Sequence, residues 1–252
     1  MKVLFRYDCG PKLAARLAGF KAAGLDIVTC SEADNALYAR HMAEAEALWH
    51  VLKPVTAAHI AGAPRLKLIQ KIGVGVNTID LEAARARGVA VANMPGTNSR
   101  AVAEHALMLM LAALRRAPLL DRAVRAGTGW TFERAALDGV GELGGRCVGF
   151  VGFGSVPRLL APACAALGSR VQYFAAHGPK PDVPWPFVAL DELLESSDVV
   201  SLHVPLSPAT ARLIDRRALA RMKPGAVLVN TARGELVDEN ALAEALRGGH
   251  IA

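Results

Sequence analysis

Short apolar segments alternate with helical segments along the chain of 252 residues, and this alternation limits what the chain can fold into. The first series of predicted strands covers residues 3–7, 26–29, 47–52, 66–72 and 89–92. A second series begins at residue 146, with strands predicted at 147–151, 170–174, 199–204 and 226–230. Helices are predicted between them, at 11–23, 80–87, 98–116, from 155 to about 167, at 190–196, within 210–222 and at 239–247. Strands that alternate with helices form parallel sheets covered by helices. The sequence therefore predicts an α/β fold with two parallel-sheet domains.

Composition excludes several classes of protein. Hydrophobic residues make up 52% of the chain and charged residues 21%, which favours a packed core over disorder. No apolar run reaches the roughly 18–20 residues of a membrane span, and the charged first residues do not form a signal peptide. Cys9, Cys30, Cys147 and Cys164 have neither metal-ligand nor redox-motif spacing, so we expect buried thiols, no metal site and a cytoplasmic protein.

The net charge of +6 raises the question of a nucleic-acid partner. The Lys and Arg residues are scattered along the chain, and aromatic residues for base stacking make up only 5% of it. This pattern argues against nucleic acid and against a membrane surface. It fits a small polyanionic ligand such as a dinucleotide, or an unspecific basic surface.

A dinucleotide-type turn follows the strand at 147–151, with the sequence GFGSVP at 152–157. Gly152 permits the tight turn and Gly154 lets a pyrophosphate approach the backbone, while the N–H groups of Ser155 and Val156 begin the next helix. The third glycine of the pattern is replaced by Pro157, which the first turn of a helix tolerates. The motif alone also fits a structural turn; the strand before it and the helix after it favour phosphate binding.

The next strand lacks the acidic residue that usually bonds the adenosine ribose of NAD. Residues 171–174 are followed by Ala175, Ala176 and His177, with Lys180 just beyond. Without the carboxylate, nothing repels a 2′-phosphate, so the cofactor is expected to be NAD or NADP. An equally good interpretation is that His177 and Lys180 are solvated loop residues.

The most specific motif is MKPGAVLVNTARGELVD at 222–238, which resembles a signature of the D-isomer-specific 2-hydroxyacid dehydrogenases. Further matches to this family, which includes phosphoglycerate dehydrogenases and glyoxylate or hydroxypyruvate reductases, lie at 72–77, 93–98, 102–105 and 201–206. The resemblance covers the chain from residue 66 onward. It implies a flavodoxin-like substrate-binding domain at 1–97 and a Rossmann-type, doubly wound NAD(P)-binding domain at 98–252. It also implies an oxidoreductase that transfers a hydride between NAD(P)H and a small 2-oxo or 2-hydroxy acid.

The resemblance assigns roles to individual residues. Arg233 follows an apolar strand at the carboxyl edge of a sheet, where a guanidinium can bind a carboxylate and polarise the adjacent carbonyl. The family implies this role for Arg233, and it implies that the turn at Gly73, Val74 and Gly75 binds the substrate carboxylate through backbone N–H groups. The cofactor contacts that it implies fall on Ser155, Val156, His203, Val204, Thr231, Ala232 and Arg233. The other histidine of interest, His105, is expected to pack within its apolar helix. That long helix, which begins after Asn98, suggests a homodimer, as in the family.

The family's acid/base histidine, and the glutamate that orients it, fall after Ala252 in this comparison. The expectation is therefore a Rossmann domain that is incomplete at the C-terminus, from a fragment of a normal enzyme or from a shortened protein without activity. A different class of function stays open, because transcriptional corepressors that resemble this family use the same fold to sense the cofactor and bind other proteins.

Overall fold

The computed structural model describes residues 1–131 and 137–252. These residues form two compact units, Met1–Thr97 and Asn98–Ala252.

The first unit is a five-stranded parallel sheet covered by helices. Its strands are β1 (Lys2–Arg6), β2 (Asp26–Cys30), β3 (Ala47–His50), β4 (Leu68–Lys71) and β5 (Ala90–Ala92). Its helices are α1 (Pro11–Gly19), α2 (Asn35–Met42), α3 (Ala57–Ala61) and α4 (Leu81–Ala86). The strand order β2-β1-β3-β4-β5 is that of flavodoxin-like folds, whose ligands bind where the order reverses, between β1 and β3.

Apolar strand residues form the core of this unit, and capping residues fix where two of its helices begin. Leu4, Leu48 and Ile69 come from three neighbouring strands and are fully buried in one core. The carboxylates of Asp34 and Asp80 accept hydrogen bonds from the first turns of α2 and α4, which satisfies backbone donors that have no partner inside a helix.

The second unit is a four-stranded parallel sheet with helices. Its strands are β6 (Cys147–Val151), β7 (Arg170–Phe174), β8 (Val199–Leu202) and β9 (Val227–Asn230). Its helices are α5 (Ser99–Leu114), α6 (Ala117–Arg125), α7 (Ser155–Ala166), α8 (Leu190–Ser196), α9 (Arg216–Arg221) and α10 (Glu239–Arg247). The strand order is β7-β6-β8-β9, and Ile251 forms a parallel bridge with Ala226 beside β9.

The central strands of this sheet are buried on both faces. Every residue of β6 and of β8 is buried, which is why these strands are continuous apolar runs without alternation. On one face, Ala106 and Met110 of α5 are completely buried in the same core as Leu160 of α7. Helix α5 therefore belongs to the core of the second unit.

The predicted fold class is confirmed, because both sheets are parallel and carry helices. The helix predicted from residue 98 to about 116 is α5, which ends at Leu114 with Arg115 as its C-cap. Arg116 has a left-handed backbone with φ 48°, and a separate helix α6 begins after it with a proline in its first turn. Helices α2, α3 and α6 were not predicted; α2 and α3 are short, with eight and five residues. No helix among the described residues is long and apolar enough to cross a membrane.

Candidate functional site

The turn between β6 and α7 requires a glycine at its first position. Gly152 has φ 91°, and a Cβ atom built on it would lie 2.7 Å from the carbonyl oxygen of His203 and 2.8 Å from Cγ1 of Val204. The turn is therefore packed against the segment that follows β8. Because β6 connects to β7 on one side and pairs with β8 on the other, this is the switch point of the second sheet.

The N-terminus of α7 is open to a ligand. Its N-cap residue, Gly154, is exposed and makes no side-chain capping bond. A Cβ atom built on Gly154 would have no other atom within 4 Å, so the space in front of the helix is empty. Pro157 has no N–H group, so the backbone donors of the first turn are those of Ser155 and Val156. These N–H groups and the positive end of the helix dipole suit the pyrophosphate of a dinucleotide.

Three segments with predicted cofactor contacts lie side by side in the second unit. Leu202 of β8 pairs with Val151 of β6 and with Asn230 of β9, so the three strands end in register. The residues that follow each strand are Gly152 to Gly154, His203 and Val204, and Thr231 to Arg233. The structure thus brings the predicted cofactor residues of this unit to one carboxyl edge.

His203 is half-buried and lines this edge. Its Nε2 atom lies 2.9 Å from the hydroxyl oxygen of Ser201, and its ring centroid is 5.8 Å from that of Phe150. Burial lowers the pKa of His203 to about 4. A histidine that is neutral at physiological pH suits the lining of a cofactor pocket better than the donation of a proton.

Arg233 lines a cleft of about 670 Å³ within the second unit. The cleft lies between the first half of α5 and the loop after β9, and its walls are Asn98, Ala101, Val102, His105, Leu109, Asn230, Thr231, Ala232, Arg233 and Gly234. Asn230 shapes the loop: its side-chain Nδ2 donates to the Arg233 carbonyl at 2.7 Å, and its Oδ1 accepts from the Ala232 N–H at 3.0 Å. The Arg233 Nη1 atom donates to the Ala232 carbonyl at 2.7 Å.

Two features of the cleft were not predicted from the sequence. The hydroxyl oxygen of Thr231 is buried and has no hydrogen-bond partner among the described residues, which leaves a polar atom for a ligand to satisfy. The expectation that His105 packs inside its helix is wrong, because His105 is exposed and lines the cleft. Consecutive residues of an α-helix point about 100° apart, so Ala106 is buried while His105 is exposed. The apolar composition of the helix does not show this difference.

The end of β7 carries no carboxylate. Ala175 is buried, whereas Ala176 and His177 are exposed. Beyond them, the backbone N–H of Lys180 donates to the Tyr173 hydroxyl at 2.7 Å, and the guanidinium of Arg158 pairs with Asp182 at 2.7 Å.

The predicted substrate-binding turn lies in the first unit, directly after β4. Gly73 has φ 139°, a backbone that other residues rarely adopt. The carbonyl of Gly73 accepts from the Met94 N–H at 2.9 Å, and the carbonyl of Val74 accepts from Asn93 Nδ2 at 2.8 Å. With both carbonyls engaged, the N–H groups of Val74 and Gly75 are the donors that this turn offers to an anion.

Within residues 1–131 and 137–252, no three His, Cys, Asp or Glu side chains are grouped so as to hold a metal ion. Among the cysteines, Cys30, Cys147 and Cys164 are buried free thiols, and burial raises the pKa of each.

Comparisons with known proteins agree with this geometry. Residues 107–252 match the family described as "D-isomer specific 2-hydroxyacid dehydrogenase, NAD binding domain". The chain is 43% identical over 203 residues to D-3-phosphoglycerate dehydrogenase of Mycobacterium tuberculosis, a match that covers 78% of this chain and 37% of the relative. It is 38% identical over 197 residues to hydroxypyruvate reductase of Thermotoga maritima, with 78% and 63% covered. The chain thus spans less than two thirds of the length of these relatives.

A crystal structure of NAD-dependent formate dehydrogenase from Staphylococcus aureus in complex with NAD superposes with a TM-score of 0.90 at 29% identity, covering 100% of this chain and 79% of that one.

Proposed function

Because the chain belongs to the D-isomer-specific 2-hydroxyacid dehydrogenase family, we propose that it is an oxidoreductase acting on a small 2-oxo or 2-hydroxy acid with NAD or NADP. The observation that carries the proposal is the register of β6, β8 and β9, whose ends present the open α7 N-terminus, His203 and Arg233 along one edge.

The second unit binds the dinucleotide in this proposal. Gly152 and Gly154 let the pyrophosphate approach, and the N–H groups of Ser155 and Val156 donate to it. His203, Val204, Thr231 and Ala232 line the rest of the pocket, where the Thr231 hydroxyl gains a partner. When bound, the nicotinamide donates or accepts the hydride.

Each unit by itself offers groups that suit an oxo acid: the first has backbone N–H donors for a carboxylate, and the second has a guanidinium for a carbonyl oxygen. The N–H groups of Val74 and Gly75 hold the carboxylate. Arg233 donates to the carbonyl oxygen and stabilises the negative charge that develops there when the carbon receives a hydride. The small size of the acids named for the relatives, such as hydroxypyruvate, agrees with these few contacts.

Ligand binding tests the proposal directly. NADH fluorescence gives a dissociation constant for the cofactor, and oxamate, an unreactive mimic of glyoxylate, is then titrated into the complex by calorimetry. We expect saturable binding of both ligands. A chain that binds NADH and captures a protein partner, but binds no oxamate, would contradict the enzyme and favour a cofactor sensor.

NADPH is expected to bind at least as tightly as NADH. No carboxylate directly follows β7 to repel the 2′-phosphate, and the basic His177 and Lys180 lie on the next segment, where Asp182 is already paired with Arg158. Changing Ala175, the first residue after β7, to Asp is expected to weaken NADPH binding while NADH binding is kept or improved, because the new carboxylate repels the phosphate and bonds the ribose diol.

The matched control for this charge effect is Ala175→Asn, which has nearly the same shape. Dissociation constants for both cofactors are measured for the two variants and the unchanged chain. A strong preference of the unchanged chain for NADH would contradict the proposal that NADPH is accepted.

We propose that the protein forms a homodimer through the apolar surface of the second unit. A groove of about 520 Å³ follows α5 and is lined by Leu107, Met108, Leu111 and Ala112, with Met108 exposed. A second copy of the chain that packs against this groove would shield its apolar side chains from water, which favours association. Light scattering is expected to give the mass of two chains; the mass of one chain would count against the dimer.

A further inference from the structure

One buried side chain, His50, contacts both ends of the turn that carries Val74 and Gly75. His50 is the last residue of β3 and is 3% exposed. Its Nδ1 atom lies 3.4 Å from Nζ of Lys71, which ends β4 two residues before Gly73. Its Nε2 atom lies 3.3 Å from Oγ1 of Thr78, which follows the turn.

The contact with Lys71 favours one tautomer of the imidazole. The ammonium of Lys71 can only donate, so Nδ1 of His50 accepts and Nε2 carries the proton that is donated to Thr78. Burial, together with the charge of Lys71, lowers the pKa of His50 to about 4, which keeps the ring neutral and in this tautomer. A neutral histidine can make both bonds at once, one as acceptor and one as donor.

Further contacts fix the turn relative to β3. Lys71 is also buried, and its Nζ donates to the carbonyl of Val51 in addition to its contact with His50. The backbone N–H of Ile72 donates to the His50 carbonyl at 2.8 Å. The Cε atom of Lys71 lies 3.5 Å from where a Cβ of Gly73 would be, so the lysine stem packs beneath the turn.

We propose that His50 is a positioning residue, which acts through Lys71 and Thr78 to hold the N–H groups of Val74 and Gly75 at the spacing that a substrate carboxylate requires. This inference rests on the proposed function, since it concerns how the same turn binds its ligand. Backbone donors bind an anion well only when their orientation is fixed before the ligand arrives. The carbonyls of Gly73 and Val74 accept hydrogen bonds from residues that follow β5. His50, at the end of β3, restrains the opposite side of the turn.

Thr78 offers the cleanest test, because its side chain can be changed without a change in shape. Thr78→Val removes the hydroxyl and keeps the volume, whereas Thr78→Ser keeps the hydroxyl. We expect Thr78→Val to weaken oxamate binding to the NADH complex roughly three- to tenfold, the effect of one lost hydrogen bond, and Thr78→Ser to bind as the unchanged chain does. The dissociation constant for NADH should be the same in all three, because the cofactor residues belong to the second unit.

A second measurement reports on the turn without any ligand. Amide hydrogen exchange at Val74 and Gly75, followed by NMR, is expected to be faster in Thr78→Val than in Thr78→Ser. The shorter side chain in His50→Asn keeps an acceptor near the position of Nδ1 but cannot extend to Thr78. We therefore expect the double variant His50→Asn, Thr78→Val to bind oxamate as tightly as His50→Asn alone.

The outcomes separate this inference from the proposed function. If the unchanged chain binds oxamate and Thr78→Val binds it equally well, the positioning role of His50 is wrong while the proposed function stands. If Thr78→Val weakens NADH and oxamate by the same factor, the contact stabilises the chain generally and the inference is again wrong. If the unchanged chain binds NADH but no oxamate, both proposals are contradicted together.

Discussion

Replacing Gly152 by alanine is expected to lower the free energy of unfolding of the second unit by about 2–4 kcal/mol and to weaken NADH binding roughly 10- to 100-fold. The stability loss has two causes: φ 91° is strained for alanine, and the added Cβ would overlap the His203 carbonyl oxygen at 2.7 Å. The binding loss follows because relief of this overlap moves the turn away from β8, and with it the N–H groups of Ser155 and Val156. Thermal or urea unfolding and NADH fluorescence measure the two effects.

Gly154→Ala is the matched control for this prediction. Its backbone is extended, with φ −97°, and its Cβ would meet nothing within 4 Å, so the stability should change by less than about 1 kcal/mol. NADH binding should still weaken, because the new methyl group occupies the space through which the pyrophosphate approaches. If Gly154→Ala bound NADH normally, the phosphate would have to bind elsewhere than at the α7 N-terminus.

Replacing Arg233 by alanine is expected to raise KM and lower kcat together, with a loss in kcat/KM of roughly 10²–10³ for glyoxylate. The guanidinium binds the ground state of the substrate and, more strongly, the charge that develops on its carbonyl oxygen, so both constants change. Oxamate binding, which needs no turnover, should weaken roughly 10-fold or more, as expected for a hydrogen bond to a charged group.

Arg233→Lys distinguishes charge from geometry. Lysine keeps the positive charge but not the planar pair of donors, so it should restore only part of the oxamate affinity. Unfolding curves are needed for both variants, because the Arg233 side chain also donates to the Ala232 carbonyl. Kinetics and oxamate binding that do not change in Arg233→Ala would remove this residue from the site.

Much of the fold could be predicted because local sequence and tertiary structure agree. The strands at 147–151 and 170–174 and the helices at 190–196 and 239–247 have the predicted bounds. Two of these elements are bordered by residues that end or begin an element, Gly152 after β6 and Asp238 before α10. Helix α6 could not be predicted, since the break before it depends on the left-handed backbone of Arg116, a residue type that does not signal such a break.

The residues of the candidate site also fall into two groups, those that the sequence locates and those that it does not. Motifs locate Gly152 and Arg233, because both belong to short segments whose chemistry depends on neighbours in sequence. The contact between His50 and Thr78 joins residues 28 apart, and it exists only because β3 and β4 are adjacent in the sheet. Nothing in the sequence near either residue indicates it. The orientation of His105 depends on which side of α5 the core occupies, and composition alone does not show that.

The two sheets share the order of their first four strands, and in both a histidine lies at the end of the third strand, beside the first; His50 is buried and His203 is half-buried. His50 ends β3, and His203 directly follows β8. The pKa of each is lowered to about 4. Neither ring therefore exchanges protons across the pH range of a cell, and the attraction of these edges for anions is left to arginine, lysine and backbone dipoles. The contribution of these two rings to anion binding is therefore the same at pH 8 and at pH 6, whereas added salt screens the charged side chains.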